Sequence, residues 1–309
     1  MADMRRSPML LVAVGVGMLG TLWSMHDEPM PEVDGELESI GDPADVGPGN
    51  LELVVRDDPA DFVIRQQQDR PFALQFQQRQ WAREASSSEV DAVFEFHGRQ
   101  SITADGPRRA MTWALTPREV FVEREGSASG ADDGFVELAR SSMASADYQM
   151  TALADERGVI DRIEFDGEGV EDAPATRLAP SMLTAIMPRF PERRLLVGED
   201  WSYRLGPSFS SPVGGSEPGV DVEVREHFSG VYDGPGGDIA AIDRQVRLRP
   251  KQRLAGDRWG VEWAGEGTVY FDIAAGQVVA SNLEVEMRRA DAADVEAPMA
   301  TIKATWFLL

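Results

Sequence analysis

The chain has 309 residues, of which 42% are hydrophobic, so it can bury a sizeable core as one large domain or two smaller ones. Its 53 acidic residues outnumber the 30 basic residues and give a net charge of −23, which excludes the basic surface that nucleic acid binding rewards. The absence of cysteine excludes disulfides, thiolate metal sites, cysteine nucleophiles and the attachment point of an exported lipoprotein.

The first predicted element is an apolar segment at residues 7–25, which follows Arg5 and Arg6 and carries no charge. This layout is typical of a secretory signal, and a helix of this length would also just span a bilayer. Because residues 22–26 (LWSMH) make a poor cleavage sequence, residues 1–26 are interpreted as a signal anchor in preference to a removed signal peptide. Either reading exports the rest to the periplasm or cell envelope, and the favoured reading anchors it in the inner membrane through residues 7–25.

An acidic linker is predicted at residues 27–61. It contains twelve acidic residues against Arg56 alone, and five prolines interrupt any helix. Such a segment cannot bury enough apolar surface to offset its ordering entropy, so we expect disorder. Residues 51–55 (LELVV) are the one stretch predicted to dock as a short strand.

Residues 62–309 are predicted to form one β-rich exported domain. Phe72, Leu74 and Phe76 fall on one side of an extended chain, and Phe94 and Phe96 do the same in the next segment. The alternation recurs in residues 220–224 and 302–308. This pattern is typical of an antiparallel sheet with one buried face and one solvent-exposed face, and roughly ten strands are expected. The predicted fold class is mainly β (α+β): a curved antiparallel sheet or half-barrel with one short covering helix.

Two segments predict the same kind of hairpin. In GTVYFDIAAGQVVASNLEVEM (residues 267–287), Asp272 can accept hydrogen bonds from turn amides and Gly276 can take a positive φ. In residues 148–167, Asp155 is the corresponding acceptor of turn amides and Gly158 is the corresponding glycine that can take a positive φ. A bulge is expected in the later hairpin near residues 281–282.

Two interpretations of this repetition stay open. A meandering sheet needs several hairpins, so the two segments can be alike only because each forms the same kind of turn. The sharper alternative is an internal duplication, with pseudo-repeats at about residues 70–170 and 195–309.

A single helix is predicted at residues 174–187. Its apolar residues recur near a 3.6-residue period, and Pro188 and Pro191 end it. The apolar positions are Leu178, Met182, Leu183, Ile186 and Met187.

The order of these motifs resembles a group of exported β-rich proteins of the bacterial envelope. The motifs are a strand-turn-strand with Asp and Gly, an apolar helix that ends in MPRFP, then VGEDW and a late FDIAAGQVVAS hairpin. More distantly, the organisation is similar to the half-barrels that carry lipoproteins. That resemblance implies a curved antiparallel sheet covered by helices and able to hold an acyl chain.

No constellation of catalytic or metal-binding residues is recognised. The three histidines, His26, His97 and His227, are scattered, so a zinc site is not expected, and His97 and His227 are expected to face solvent. Among 53 acidic residues some pair always lies within catalytic range, so carboxylates alone identify no hydrolase. No catalytic residue, metal or cofactor is therefore predicted.

The apolar residues supply the functional hypothesis. If the sheet curls and the helix covers it, seven side chains would line a pocket for a lipid or other hydrophobic ligand. They are Met182, Ile186, Met187, Phe190, Trp113, Trp201 and Trp263. The alternative for these residues is that they simply fill the core.

The predicted function is that of a non-catalytic, membrane-tethered protein that binds a hydrophobic ligand or an envelope component. The alternatives are an interaction module that docks another envelope protein, and a carboxylate-dependent hydrolase. An outer-membrane barrel, suggested by the aromatic residues near the C-terminus, fits least because the strands carry charges at alternate positions.

Overall fold

The computed structural model describes residues 53–82, 88–125, 148–166, 186–205, 220–234, 237–250, 261–289 and 300–309. These residues form twelve strands and confirm the mainly β prediction. The strands are β1 (Leu53–Val54), β2 (Gln67–Ala82), β3 (Ser88–Asp105), β4 (Arg108–Glu125), β5 (Tyr148–Ala154), β6 (Ile160–Asp166), β7 (Asp200–Leu205), β8 (Val220–Gly234), β9 (Gly237–Pro250), β10 (Val261–Asp272), β11 (Gln277–Arg289) and β12 (Ala300–Leu308).

All twelve strands belong to one sheet, and every pairing is antiparallel. The order is β1-β8-β9-β10-β11-β12-β2-β3-β4-β5-β6, with β7 pairing β8 beside β1. Within the described residues the sheet is open, because its edges are β6 at one side and β1 with β7 at the other.

The predicted alternation places one face of each strand in a common core. Phe72 and Leu74 of β2 are buried, as are Ala304 and Trp306 of β12. Buried side chains from β2–β5 and β8–β12 form a single hydrophobic cluster. We call the side of the sheet that carries this cluster the inward face.

Four hairpin turns lie at the same end of the sheet, because neighbouring strands run in opposite directions. They connect β3 to β4, β5 to β6, β8 to β9 and β10 to β11, and residues 235–236 of the β8–β9 connection lie outside the described residues. The connections at the opposite end fall outside the described residues. We call the end with the four turns the turn end.

The predicted hairpins are confirmed in their turn chemistry. Gly158 and Gly276 have φ values of 82° and 68°, which only glycine adopts without strain. Asp155 Oδ1 accepts from the backbone N–H groups of Arg157 and Val159, and Asp272 Oδ1 accepts from that of Ala275. The predicted bulge is misplaced. The register shifts between Tyr270 and Phe271, so the extra residue on β11 is Val279.

Two peptide segments cross the turn end and contact the inward face. The first cover segment, residues 60–66, follows β1 and leads into β2, and the second cover segment, residues 186–198, leads into β7. They pair with each other through reciprocal hydrogen bonds between Ala60 and Leu195. The predicted short strand at 51–55 is confirmed as β1, which pairs with β8.

The sheet bends strongly, as the first cover segment demonstrates. Ile64 N donates to Glu156 O in the β5–β6 turn, and the next residue, Arg65, donates to Gly276 O in the β10–β11 turn. Four strands separate β11 from β5, so in a flat sheet these strands would lie about 24 Å apart. Adjacent residues cannot reach both turns unless the sheet curves around them.

Glycines mark places where the curved backbone leaves no room for a side chain. A Cβ at Gly267 would lie 2.0 Å from Asn282 O in β11, and one at Gly98 would lie 2.1 Å from Ala114 O in β4. Glycine at such close approaches is typical of sheets that bend sharply.

Most of the predicted helix lies outside the described residues. Within them Ile186 is helical and Met187 is not, so the helix ends one residue before the predicted end. Residues 1–52, which include the predicted anchor and most of the linker, also lie outside. The described residues include no helix long and apolar enough to cross a membrane.

The strands form two successive meanders, β2–β6 with five strands and β7–β12 with six, each preceded by a cover segment. The two predicted hairpins are the fourth connection of each meander. The pseudo-repeats at about 70–170 and 195–309 stay a prediction.

Candidate functional site

Six of the seven residues predicted to line a pocket lie in or against the hydrophobic cluster. Five are buried members of it: Trp113, Ile186, Met187, Phe190 and Trp263. Trp201 is half-buried and packs against it, and Met182 lies outside the described residues. The fold therefore gathers these side chains on one apolar face, whereas their role in binding a ligand stays a prediction.

An aromatic group fills the inward face at the turn end. Phe62 of the first cover segment stacks on Phe190 of the second, with ring centroids 4.9 Å apart. Phe62 also meets Phe228 of β8 edge-on at 5.0 Å, and Phe190 meets Phe271 of β10 at 4.9 Å. We call these four residues the aromatic plug. It connects both cover segments to the sheet, so the turn end is closed.

The β5–β6 turn holds both cover segments. The Arg157 guanidinium donates to Asp61 Oδ1 and to Phe62 O, both at 2.7 Å, while Arg157 O accepts from Phe190 N at 2.7 Å. A Cβ at Gly158 would lie 2.3 Å from Pro188 O, so a positive φ and a close contact both require glycine there.

The β10–β11 turn holds the first cover segment from the other side. Besides the bond between Arg65 N and Gly276 O, the Arg65 guanidinium donates to Ala274 O at 3.0 Å. Gln67 Nε2 donates to Ala275 O at 2.8 Å. A Cβ at Gly276 would lie 2.5 Å from Val63 O, so this turn also packs tightly on the segment.

A buried polar cluster interrupts the apolar face next to the aromatic plug. Glu226 of β8 and Arg244 of β9 are cross-strand partners, and neither side chain is exposed to solvent. Arg244 Nε and Nη2 donate to Glu226 Oε1 at 2.9 and 2.6 Å, and the Tyr203 hydroxyl donates to the same oxygen at 3.1 Å. Oε2 of Glu226 receives no hydrogen bond from any described residue.

The register explains how this cluster fits the sheet. Trp201 of β7 pairs with Glu226, and Gly267 of β10 pairs with Arg244. The Trp201 indole N–H donates to Arg189 O at 2.7 Å, which fixes the ring beside the second cover segment. On one side of Arg244, the neighbouring strand β10 has Gly267, which carries no side chain. On the other side, β8 has Glu226 and the next strand, β7, has the large ring of Trp201.

Burial dominates the acid–base properties of the cluster. It raises the pKa of Glu226 above its usual range, against the opposing charge and hydrogen bonds of Arg244. Burial acts to lower the pKa of Arg244, but the charge and hydrogen bonds of Glu226 together with the charge of Tyr203 raise it overall. The Tyr203 pKa is raised by burial and by the negative charge of Glu226, so Tyr203 stays a neutral donor.

The sequence analysis missed Glu226 and Arg244, although a signal was present. Valines at 222 and 224 define the inward face of β8, and the same two-residue step reaches Glu226 and then Phe228. In β9 the step passes from Ile242 through Arg244 to Val246. Two opposite charges at inward positions of neighbouring strands predict a buried pair once the register is known.

The two histidines among the described residues lie away from this cluster. His227 is exposed as expected and lies 3.2 Å from Asp200. His97 is more buried than expected, with 29% of its side chain exposed, and lies 2.9 Å from Glu95. Among the described residues no group of three potential metal ligands occurs.

The fold and the site together define a protein with one bent, antiparallel β-sheet whose apolar inward face is closed at one end and carries a buried ion pair. No protein-family model matches the chain, and no curated protein matches it in sequence.

Solved structures that a structural comparison matches to this chain include one titled for lipid–protein interactions in lipovitellin. It is 9% identical with a TM-score of 0.44, and it covers 81% of this chain but 25% of that chain. This chain thus spans about a quarter of the lipovitellin chain.

Two others are the beta domain of the Bordetella autotransporter BrkA and an outer membrane channel from Pseudomonas putida F1. The first is 11% identical with a TM-score of 0.23 and covers 78% of this chain and 99% of that one. The second is 10% identical with a TM-score of 0.24 and covers 82% and 100%. At these scores the similarities carry no functional argument.

Proposed function

We propose that this protein binds an apolar ligand, such as a lipid acyl chain, on the inward face of its bent sheet, as a non-catalytic component of the cell envelope. In this proposal the sheet acts as a half-barrel that the 174–187 segment covers. Residues 7–25 anchor the chain in the inner membrane, and the part of the predicted 27–61 linker that precedes β1 holds the domain away from it.

The observation that carries the proposal is the continuity of the inward face. Trp113 in β4 and Trp263 in β10 belong to the same hydrophobic cluster, although four strands separate β4 from β10 in the sheet. Ligand sites for apolar molecules are concave, mostly apolar and carry a few polar groups, and the polar cluster at Glu226 supplies such groups. The aromatic plug closes one end, so a ligand would enter from the opposite end.

Native mass spectrometry of the full chain, extracted from membranes in mild detergent, tests this function. We expect a bound apolar molecule that organic extraction removes and added phospholipid restores. Val246→Thr, which puts a hydroxyl on the inward face, should weaken retention, whereas Arg247→Thr on the exposed face of the same strand should not. A chain that never carries or accepts lipid would refute the proposal.

A second candidate function is docking of another envelope protein on β1. Leu53 and Val54 of the edge strand β1, which pairs on one side with β8, are exposed, and Val55 directly after it is 72% exposed. An exposed apolar edge can accept an added strand. Cross-linking from position 54 in membranes should capture a partner that Val55→Lys abolishes. Capture that is unchanged in this variant would refute docking at β1.

A further inference from the structure

The unsatisfied oxygen of Glu226 is the basis of a more specific assignment of the ligand. We propose that Glu226 Oε2 accepts a hydrogen bond from a neutral donor, a hydroxyl or an amide N–H, at the end of the apolar ligand. This inference rests on the proposed function, because it names the polar group of the same ligand.

The first step is the asymmetry of the carboxylate. An arginine usually engages both oxygens of a carboxylate with two parallel hydrogen bonds. Here Nε and Nη2 of Arg244 both donate to Oε1, and Tyr203 adds a third donor to the same atom. Oε2 is buried and has no hydrogen-bond partner among the described residues, because the indole N–H of the neighbouring Trp201 is directed to Arg189 O. A buried acceptor in this state is destabilising until a donor reaches it.

The second step is the charge of the cluster, which selects the kind of donor. Arg244 is always protonated, and its two hydrogen bonds to Oε1 are those that a carboxylate accepts, so this geometry describes a buried pair with no net charge. An anionic group beside Oε2 would add an uncompensated negative charge next to the carboxylate. A cationic group would instead place a second positive charge beside Arg244. A neutral hydroxyl or amide avoids both costs.

The third step is the position of the cluster along the sheet. Glu226 precedes Phe228 of the aromatic plug by one step of the inward face, about 7 Å along the strand. Beyond Glu226, away from the turn end, the inward positions of β8 and β9 are the buried valines 224 and 246. A ligand that enters opposite the turn end would therefore lay its tail along the valines and bring its leading polar group to Oε2.

Three probes with the same alkyl chain test the inference on the full-length wild-type protein after removal of bound lipid. They are dodecanol, which has a hydroxyl donor, dodecyl methyl ether, which has none, and dodecanoate, which is an anion. Equilibrium partition of labelled probe between protein and buffer gives each dissociation constant. We expect dodecanol to bind about 10- to 100-fold more tightly than the ether, as for one hydrogen bond to a charged group, with dodecanoate weakest.

The outcomes separate this inference from the function on which it rests. If all three probes bind with equal affinity, or if dodecanoate binds best, the assignment to Glu226 is refuted while the apolar-ligand function stands. If none of the probes binds, the proposed function fails and the inference fails with it.

A variant with its matched control adds a second measurement. Glu226→Gln replaces Oε2 with an amide that donates, so the preference for dodecanol over the ether should be lost or reversed. Glu223→Gln removes the same charge from an exposed position of β8 and should preserve the preference. Circular dichroism establishes whether each variant is folded. A folded Glu226→Gln protein that keeps the wild-type preference would overturn the inference, and the wild-type series decides the matter if the variant does not fold.

Discussion

Replacement of Phe62 with alanine tests whether the first cover segment closes the turn end. Phe62 is 1% exposed and contacts three other rings, Phe190, Phe228 and Phe271, at centroid distances of 4.9, 5.0 and 5.7 Å. Truncation of a buried phenylalanine typically costs about 3–5 kcal/mol of the free energy of unfolding. Because three aromatic contacts are lost together, we expect about 4 kcal/mol.

The matched control is Phe307→Ala on β12. Phe307 is half-buried and does not belong to the hydrophobic cluster, so its truncation should cost about 1 kcal/mol. Urea denaturation followed by tryptophan fluorescence measures both values, and the dependence on urea concentration reports whether unfolding occurs in stages.

Hydrogen exchange localises the effect. The amides of Ile64 and Arg65, which bond to the two clamping turns, should lose protection in Phe62→Ala at denaturant concentrations where the sheet stays protected. If Phe62→Ala costs no more than Phe307→Ala and these amides keep their protection, the aromatic plug is not what closes this end of the molecule.

The turns, the curvature and the second cover segment yield three further predictions. Asp155→Ala should cost about 2 kcal/mol in urea denaturation and Asp272→Ala about 1, because the first carboxylate accepts two turn hydrogen bonds and the second accepts one; equal costs would contradict this. Gly267→Ala should destabilise by about 1–3 kcal/mol, since the added methyl group meets the β11 backbone, and an unchanged unfolding midpoint would count against the bend there. The pKa of Glu199 is lowered, first by a hydrogen bond from Leu196 N. The ionised carboxylate therefore stabilises the folded state above the ordinary pKa of 4.5, and this stabilisation is lost as the pH falls through the lowered pKa of the folded state. Glu199→Gln should reduce Tm at neutral pH and not in strong acid.

Much of the sheet could be predicted because the residues that specify its strands and turns lie close together in the sequence. Alternation with a period of two identifies the inward face of β2 and β12 without knowledge of any partner. Asp and Gly at fixed offsets identify the β5–β6 and β10–β11 turns, because the carboxylate caps turn amides and only glycine takes the positive φ. Even the short edge strand β1 was visible as an apolar run within an acidic linker.

The rest could not be predicted because it depends on pairings between distant residues. The bulge at Val279 reflects the local fit of β10 to β11, and sequence periodicity located it two residues too late. The first cover segment was divided between the predicted linker, which ended at residue 61, and the β-rich domain, since no periodicity marks a peptide whose hydrogen bonds go to two remote turns. Glu226 and Arg244 look like solvent-facing charges until the register places them opposite each other on the inward face.

The likeness of the two hairpins has a structural use that their sequences alone do not reveal. Both turns reach the turn end, and both hold the first cover segment, through Glu156 and Gly276. A bent open sheet has few contacts between its distant strands, so a peptide bonded to two turns on opposite sides fixes the curvature of the whole sheet. The β5–β6 turn also bonds the second cover segment at Phe190, which brings that segment onto Phe62.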